Sequence, residues 1–298
     1  MSTYLLIFII SSVSVFGNVL LKKFQQQTKT DVLTFCVVNF VNSITASLFF
    51  FSVNKFNINM NLPAFVFSMA AAFFVATAII ANMLVMSKAT VAVVSIITTS
   101  GMVVGTAVFG TIFLNEPVCA KTVVAIIFVI MAVVSPFVSG KKQNDKKRFV
   151  GKVTIILCTL LFLVSGADVV LSKAYVINPN VCDTNSYFFM MNFILVILTL
   201  VVGCTYAFKN KISAHKIIHT FSPKQLLYIV VRTVTSNMGA MISVVVLAKT
   251  DASLYSVLTS SLVLIGNGVV STVIFKEKIT FTTLVSILLA FGAVVVAG

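Results

Sequence analysis

Charge is scarce in this sequence, and acidic side chains are the scarcest of all. Charged residues make up 9% of the 298 positions, with 7 acids against 21 lysines and arginines. Hydrophobic residues make up 59%, and the mean hydropathy is +1.11. A soluble domain typically has about 25% charged residues, so this composition excludes a soluble globular fold. Lipid must surround most of the chain.

Other absences narrow the function. Tryptophan is missing, and the five cysteines are scattered without the spacing of a metal site or a disulfide framework. No G-x-x-x-x-G-K-S/T motif occurs, which argues against ATP-driven transport. His215 and His219 have no acid or cysteine close by in sequence, so we expect neither a metal nor a cofactor. The apolar segments carry no paired acids and no His–Asp pair, so we expect no enzyme.

Long apolar runs are what the sequence has in abundance. Ten of them reach the ~20 residues of a membrane-spanning helix and are too continuous for the alternating strands of a barrel. Because every backbone polar group in lipid must be satisfied internally, the predicted fold is all-α. The predicted segments are 4–21, 32–53, 63–86, 89–114, 117–139, 150–172, 184–208, 224–247, 251–275 and 280–297.

An internal repeat divides these segments into two sets of five. Lys88–Glu116 aligns without gaps to Lys249–Glu277, and 8 of the 29 positions are identical. Five is an odd number, so the second set enters the membrane in the opposite orientation. The prediction is a 5+5 inverted-topology repeat, with a first repeat at 1–140, a basic linker at 141–149 and a second repeat at 150–298.

The net charge of +14 would suggest nucleic acid as a partner in a soluble protein. Here the basic residues lie in short gaps between apolar runs, so we expect the lipid bilayer and no nucleic acid. The odd-numbered connections hold 16 of the 21 basic residues. The positive-inside rule then places these connections in the cytoplasm and both termini outside.

The layout resembles the drug/metabolite transporter superfamily, in particular its ten-helix EamA-like members. The likeness is carried by an acid that ends a small, hydroxyl-rich segment in each half, Glu116 before Pro117 and Glu277 before Lys278. It implies export or exchange of small metabolites through a central cavity, in the cell (inner) membrane. It also implies cytoplasmic termini, against the charge count. The chain departs from the family pattern by lacking a proline in the middle of the fourth and ninth segments.

Arg232 and Asp168 are the sharpest candidates for substrate contact. Arg232 falls about eight residues into the eighth segment, where a cation is costly unless it meets a partner or a watery cavity. It would hold a carboxylate or phosphate in a bidentate fork. Alternatively, it snorkels or pairs with Asp168. Asp168 would take up a proton, bind an amine, or simply pair with Lys173; Asn18 is its repeat counterpart.

Further candidates are hydroxyl and amide side chains within the apolar segments. Ser and Thr spaced by three and four residues share one helix face in each half, and two such faces could line a symmetric cavity. They could equally bond back to their own helix and serve packing. The proposed substrate-binding residues in this class are Ser95, Thr98, Thr99, Tyr255, Ser256, Thr259, Ser260, Asn237 and Asn82.

Two further features have structural interpretations. Glu116 and Glu277 are expected to stabilise the positive N-terminal ends of the fifth and tenth helices. Gly101-x-x-x-Gly105 is a small-residue packing stripe. The fifth and tenth helices would brace each half and could form a homodimer.

The sequence thus predicts a secondary transporter that moves a small polar metabolite, an amino-acid-like or other organic anion or zwitterion, by alternating access. One alternative is an exchanger for phosphorylated sugars or nucleotide sugars, for which several cations within helices would be expected. Another is a non-transporting membrane scaffold.

Overall fold

The computed structural model describes most of the chain as long helices joined by short connections. The described residues are 2–27, 32–86, 91–117, 119–139, 152–181, 183–211, 221–274 and 281–297. Within these ranges no strand occurs. The all-α prediction is therefore confirmed for the part of the chain that the structure describes.

Ten helices follow one another along the part of the chain that the structure describes. They are α1 (Thr3–Gln27), α2 (Val32–Val53), α3 (Leu62–Met86), α4 (Val91–Leu114), α5 (Ala120–Ser139), α6 (Lys152–Ile177), α7 (Thr184–Lys209), α8 (Pro223–Leu247), α9 (Ala252–Val273) and α10 (Phe281–Ala297). Each corresponds to one predicted segment, with ends shifted by a few residues.

Seven of the ten are long and apolar enough to cross a membrane: α1, α2, α3, α6, α7, α8 and α9. The other three contain shorter apolar stretches of 10–17 residues within their described parts. Many large apolar side chains on the spanning helices are exposed, among them Phe8, Phe73 and Leu200. Such side chains face lipid at no cost, so the protein is a multi-pass membrane protein.

The helices separate into two compact units. Unit 1 comprises residues 1–15, 77–177 and 242–298, and unit 2 comprises residues 16–76 and 178–241. Each unit therefore takes helices from both predicted repeats. The five-plus-five inverted repeat and its boundaries stay a prediction.

In unit 1, α4 packs against α6 with almost no side chain between the two backbones. A methyl group added to Gly105 would lie 2.8 Å from the Cα atom of Gly166. Gly101 meets the backbone of Phe162 in the same way, one turn earlier on both helices. The predicted small-residue stripe thus packs within the chain, and α4 and α6 run parallel.

Two other helix pairs run antiparallel. In unit 1, Thr106 and Met102 of α4 contact Ser256 and Ser260 of α9 in reverse order. In unit 2, the rings of Phe50 in α2 and Phe188 in α7 stack with centroids 4.9 Å apart, while Cys36 meets Gly203 nearer the other end of these two helices. These directions agree with helices that reverse from one to the next along the chain.

Candidate functional site

Arg232 lies in the middle of a membrane-spanning helix of unit 2. It is nine residues past the start of α8 at Pro223, a rise of about 13 Å, which is close to half of the ~30 Å hydrocarbon core. Its side chain is half-buried. A methyl group on Gly17 of α1 would lie 3.8 Å from its Cγ atom and 3.5 Å from Oγ of Ser236. The aliphatic stem of Arg232 therefore approaches α1 at a glycine.

No carboxylate neutralises Arg232 in the described part of unit 2. The one acid described there is Asp183, whose carboxylate caps the start of α7 by accepting from the backbone N–H of Ser186 at 3.1 Å. Arg232 takes part in no ion pair among the described residues. With no described acid beside it, a guanidinium at this depth is a candidate contact for an anionic ligand.

Polar groups adjoin Arg232 along α8. The Thr233 hydroxyl contacts the side-chain oxygen of Asn42 and joins α8 to α2. The amide nitrogen of Asn237 is buried, and among the described residues it has no hydrogen-bond partner. Asn18 is exposed in α1, next to Gly17. Unit 2 thus contains three of the predicted site residues, Arg232, Asn237 and Asn18.

Asp168 lies half-buried in α6 of unit 1. The suggested pair with Lys173 is wrong, because the ammonium of Lys173 contacts Glu116 instead. The physical reason is helical spacing: side chains meet at three or four residues, whereas these two are five apart and point in different directions. Among the described residues Asp168 forms no ion pair.

Glu116 and Lys173 form a buried polar cluster at one end of unit 1. The Glu116 carboxylate accepts from the backbone N–H of Ala252 at 2.9 and 3.1 Å, at the first residue of α9. Lys173 also donates to the carbonyl of Thr250 at 2.6 Å and lies 3.8 Å from Asp251. Both Glu116 and Lys173 are less than a tenth exposed. The cluster joins the α4–α5 connection, α6 and the start of α9.

The structural interpretation of Glu116 is therefore supported, but the expected partner helix is wrong. Glu116 stabilises the N-terminus of α9 and not that of α5. Asn115 has φ 53°, a turn conformation that precedes the acid. This turn comes directly before Glu116, which contacts the start of α9, a helix distant in sequence. Glu277 lies outside the described residues.

Three of the hydroxyls predicted for the cavity have partners within unit 1. Ser256 and Thr106 share a hydrogen bond of 2.5 Å between their oxygens, and both are fully buried. The Tyr255 hydroxyl donates to Ser243 Oγ at 2.9 Å. Ser260 lies 4.0 Å from the sulfur of Met102. These contacts support the packing interpretation for this face of α9.

The remaining hydroxyl candidates of unit 1 lie in α4 and α9. Thr259 is buried in α9, and Thr98 and Thr99 are half-buried in α4. For Ser95 and Asn82 the structure describes the helical backbone and not the side chain.

Sequence reasoning missed the Glu116–Lys173 pair, the Thr233–Asn42 contact and an apolar cavity in unit 2. For the Glu116–Lys173 pair, the signal in the sequence is that both residues are among the few charges at the ends of apolar segments. The signal for the cavity is a pair of small residues one turn apart, Gly203 and Ala207, which line it.

No known family model matches this chain, and no curated protein matches it. A solved crystal structure, of a protein described without any function, has a TM-score of 0.74 at 11% identity. The match covers 99% of this chain and 96% of that one. The likeness shows that the two proteins share a fold.

Proposed function

We propose that this protein is a secondary transporter for a small polar metabolite with an acidic group, either an organic anion or a zwitterion such as an amino acid. Arg232 is the observation that carries the proposal. A cation at the centre of a membrane helix costs at least ~2.5–3.5 kcal/mol, and such residues normally mark substrate or ion pathways. The absence of a described acid beside it favours a substrate carboxylate as the partner.

Alternating access between two inverted five-helix repeats is the proposed mechanism. The aligned blocks Lys88–Glu116 and Lys249–Glu277 support it, because related halves of opposite orientation can rock about a site between them. The resemblance to drug/metabolite transporters favours export across the cell (inner) membrane and allows a homodimer. Among the described residues of unit 2, Arg232 is the one cation more than five residues from both ends of its helix. This favours the proposed substrate class over phosphorylated sugars, whose several charges would call for more.

The test compares cells that express the wild type, Arg232→Ala, Arg232→Lys and Lys55→Ala. Lys55 is an exposed cation in the α2–α3 connection and serves as the matched control for loss of charge. We expect the wild type and Lys55→Ala to release one metabolite that cells with Arg232→Ala retain. A charged hydrogen bond contributes about 1.5–3 kcal/mol, so the KM for that metabolite should rise on the order of 10- to 100-fold in Arg232→Lys.

Transport of the released compound is then measured in proteoliposomes, with protein amount checked by size-exclusion chromatography. Undiminished transport by Arg232→Ala would overturn the role of Arg232. The absence of any wild-type transport, in either direction and with or without counter-substrate, would overturn the transporter itself.

A further inference from the structure

Unit 2 contains an apolar cavity of about 570 Å³ between α2, α7 and the start of α8. Leu33, Phe40, Gly203 and Phe208 are among the residues that line it. None of the described lining residues is charged. The hydroxyl of Thr199, one of its few polar groups, already donates to the carbonyl of Leu195 at 2.7 Å. The wall therefore offers little to a polar solute.

The cavity has the depth of one membrane leaflet. Along α7 it extends from Phe208, next to the helix end at Lys209, back to Thr199. Nine residues of helix rise about 13 Å, close to half of the ~30 Å hydrocarbon core. Along α2 it extends from Leu33, next to the helix start, to Val41, which is a similar distance. The space thus runs from the membrane surface to about the bilayer centre.

Basic residues lie at the surface end of this cavity. Lys209 is the last residue of α7, Lys211 follows it, and Lys224 is the second residue of α8; all three are exposed. The charge count places this end in the cytoplasm, where the leaflet is rich in anionic lipids. Basic pockets between membrane helices on that side bind lipid headgroups.

We infer that this cavity is a binding site for one acyl chain of an anionic phospholipid, whose headgroup lies against Lys209, Lys211 and Lys224. The apolar wall accepts the chain, and the lysines select the headgroup. The site is distinct from the Arg232 contact with α1, and it does not depend on the proposed transport activity.

The first test measures thermal unfolding and lipid retention of the full-length protein purified in detergent. Phosphatidylglycerol and phosphatidylcholine with identical acyl chains are added separately. We expect phosphatidylglycerol to raise the Tm more and to remain bound in native mass spectrometry. Each lysine near an anionic lipid contributes about fivefold in affinity. Replacing Lys209, Lys211 and Lys224 together by glutamine should therefore weaken phosphatidylglycerol binding on the order of a hundredfold. Lys55→Gln should leave this binding unchanged.

The second variant tests the acyl-chain part. A methyl group at Gly203 would meet Cys36 at an ordinary 3.6 Å, so Gly203→Ala should bind lipid as the wild type does, whereas Gly203→Phe should fill the cavity and abolish binding. Gly292→Phe is the matched control, because nothing lies within 4 Å of a methyl group at Gly292.

A third measurement leaves Gly203 unchanged. In a chain whose other four cysteines are replaced by alanine, phosphatidylglycerol should slow the alkylation of Cys36, a buried residue of the cavity wall. Equal protection by both lipids would overturn the selection of anionic headgroups. No protection, or lipid retention that persists in Gly203→Phe, would overturn the site.

Discussion

Lys173 and Glu116 form the most completely buried ion pair that the structure describes, and a buried pair makes a one-sided substitution costly. Removing the lysine leaves the Glu116 carboxylate buried with only the Ala252 N–H as a described partner. Loss of one partner of a buried pair typically costs about 3–5 kcal/mol, whereas replacement of both by neutral groups costs much less.

We therefore expect Lys173→Met to lower the thermal stability of the purified protein markedly. Lys173→Met combined with Glu116→Gln should recover more than half of the loss, because glutamine still accepts from Ala252 without a charge. Lys249→Gln, at a neighbouring exposed lysine, should be neutral. The measurement is the unfolding temperature in one detergent. Additive losses in the double variant would contradict coupling between the two residues.

At the scale of helices, the α4–α6 contact depends on glycine at Gly105 and Gly166. A methyl group on Gly166 would come within 2.5 Å of the Cα atom of Gly105, a distance that requires the helices to separate. Close approach of small residues is a main source of helix association in lipid, where there is no hydrophobic force between helices.

Gly105→Ala and Gly166→Ala should each lower the unfolding temperature and reduce the yield of monodisperse protein. Gly292→Ala is the control, since it adds the same methyl group where there is space. The comparison uses thermal unfolding followed by size-exclusion chromatography. If all three variants behave alike, the contact between α4 and α6 is looser than the backbone distances indicate.

The sequence predicted the helices well because lipid imposes a length and an apolar composition on each one. The ninth predicted segment, 251–275, and α9 at Ala252–Val273 illustrate the agreement. Which face each helix turns inward was not predictable, because both lipid and protein interior accept apolar side chains. Ser256 therefore could not be assigned to packing before its contact with Thr106 was seen. Arg232 stood out because a charge is unusual in either environment.

At the scale of the whole molecule, orientation in the membrane can be tested at Cys119. This exposed residue lies in the α4–α5 connection, which the charge count places outside. The Thr122 hydroxyl, 3.2 Å from its sulfur, holds the pKa of the Cys119 thiol below its usual value. A lower pKa gives more thiolate at neutral pH and faster reaction with maleimides.

In a chain with Cys119 as its sole cysteine, a membrane-impermeant maleimide should label intact cells. The pH at which the labelling rate is half its maximum should rise in Thr122→Val, because the hydrogen bond that favours the thiolate is lost. The rate is followed by gel shift between pH 6 and 9. Labelling only after the membrane is opened would place this connection, and both termini, in the cytoplasm.

The core of unit 1 can be completed only late in the synthesis of the chain. This core joins Ile7 and Ile10 of α1 to Val246 and Leu247 at the end of α8. These partners are separated by more than two hundred residues, which take on the order of 10–50 s to synthesise. During that interval the first helix is already in the bilayer while Val246 and Leu247 do not yet exist. Lipid or a membrane chaperone must cover the part of its inner face that these residues later contact, until nearly the whole chain has emerged from the ribosome.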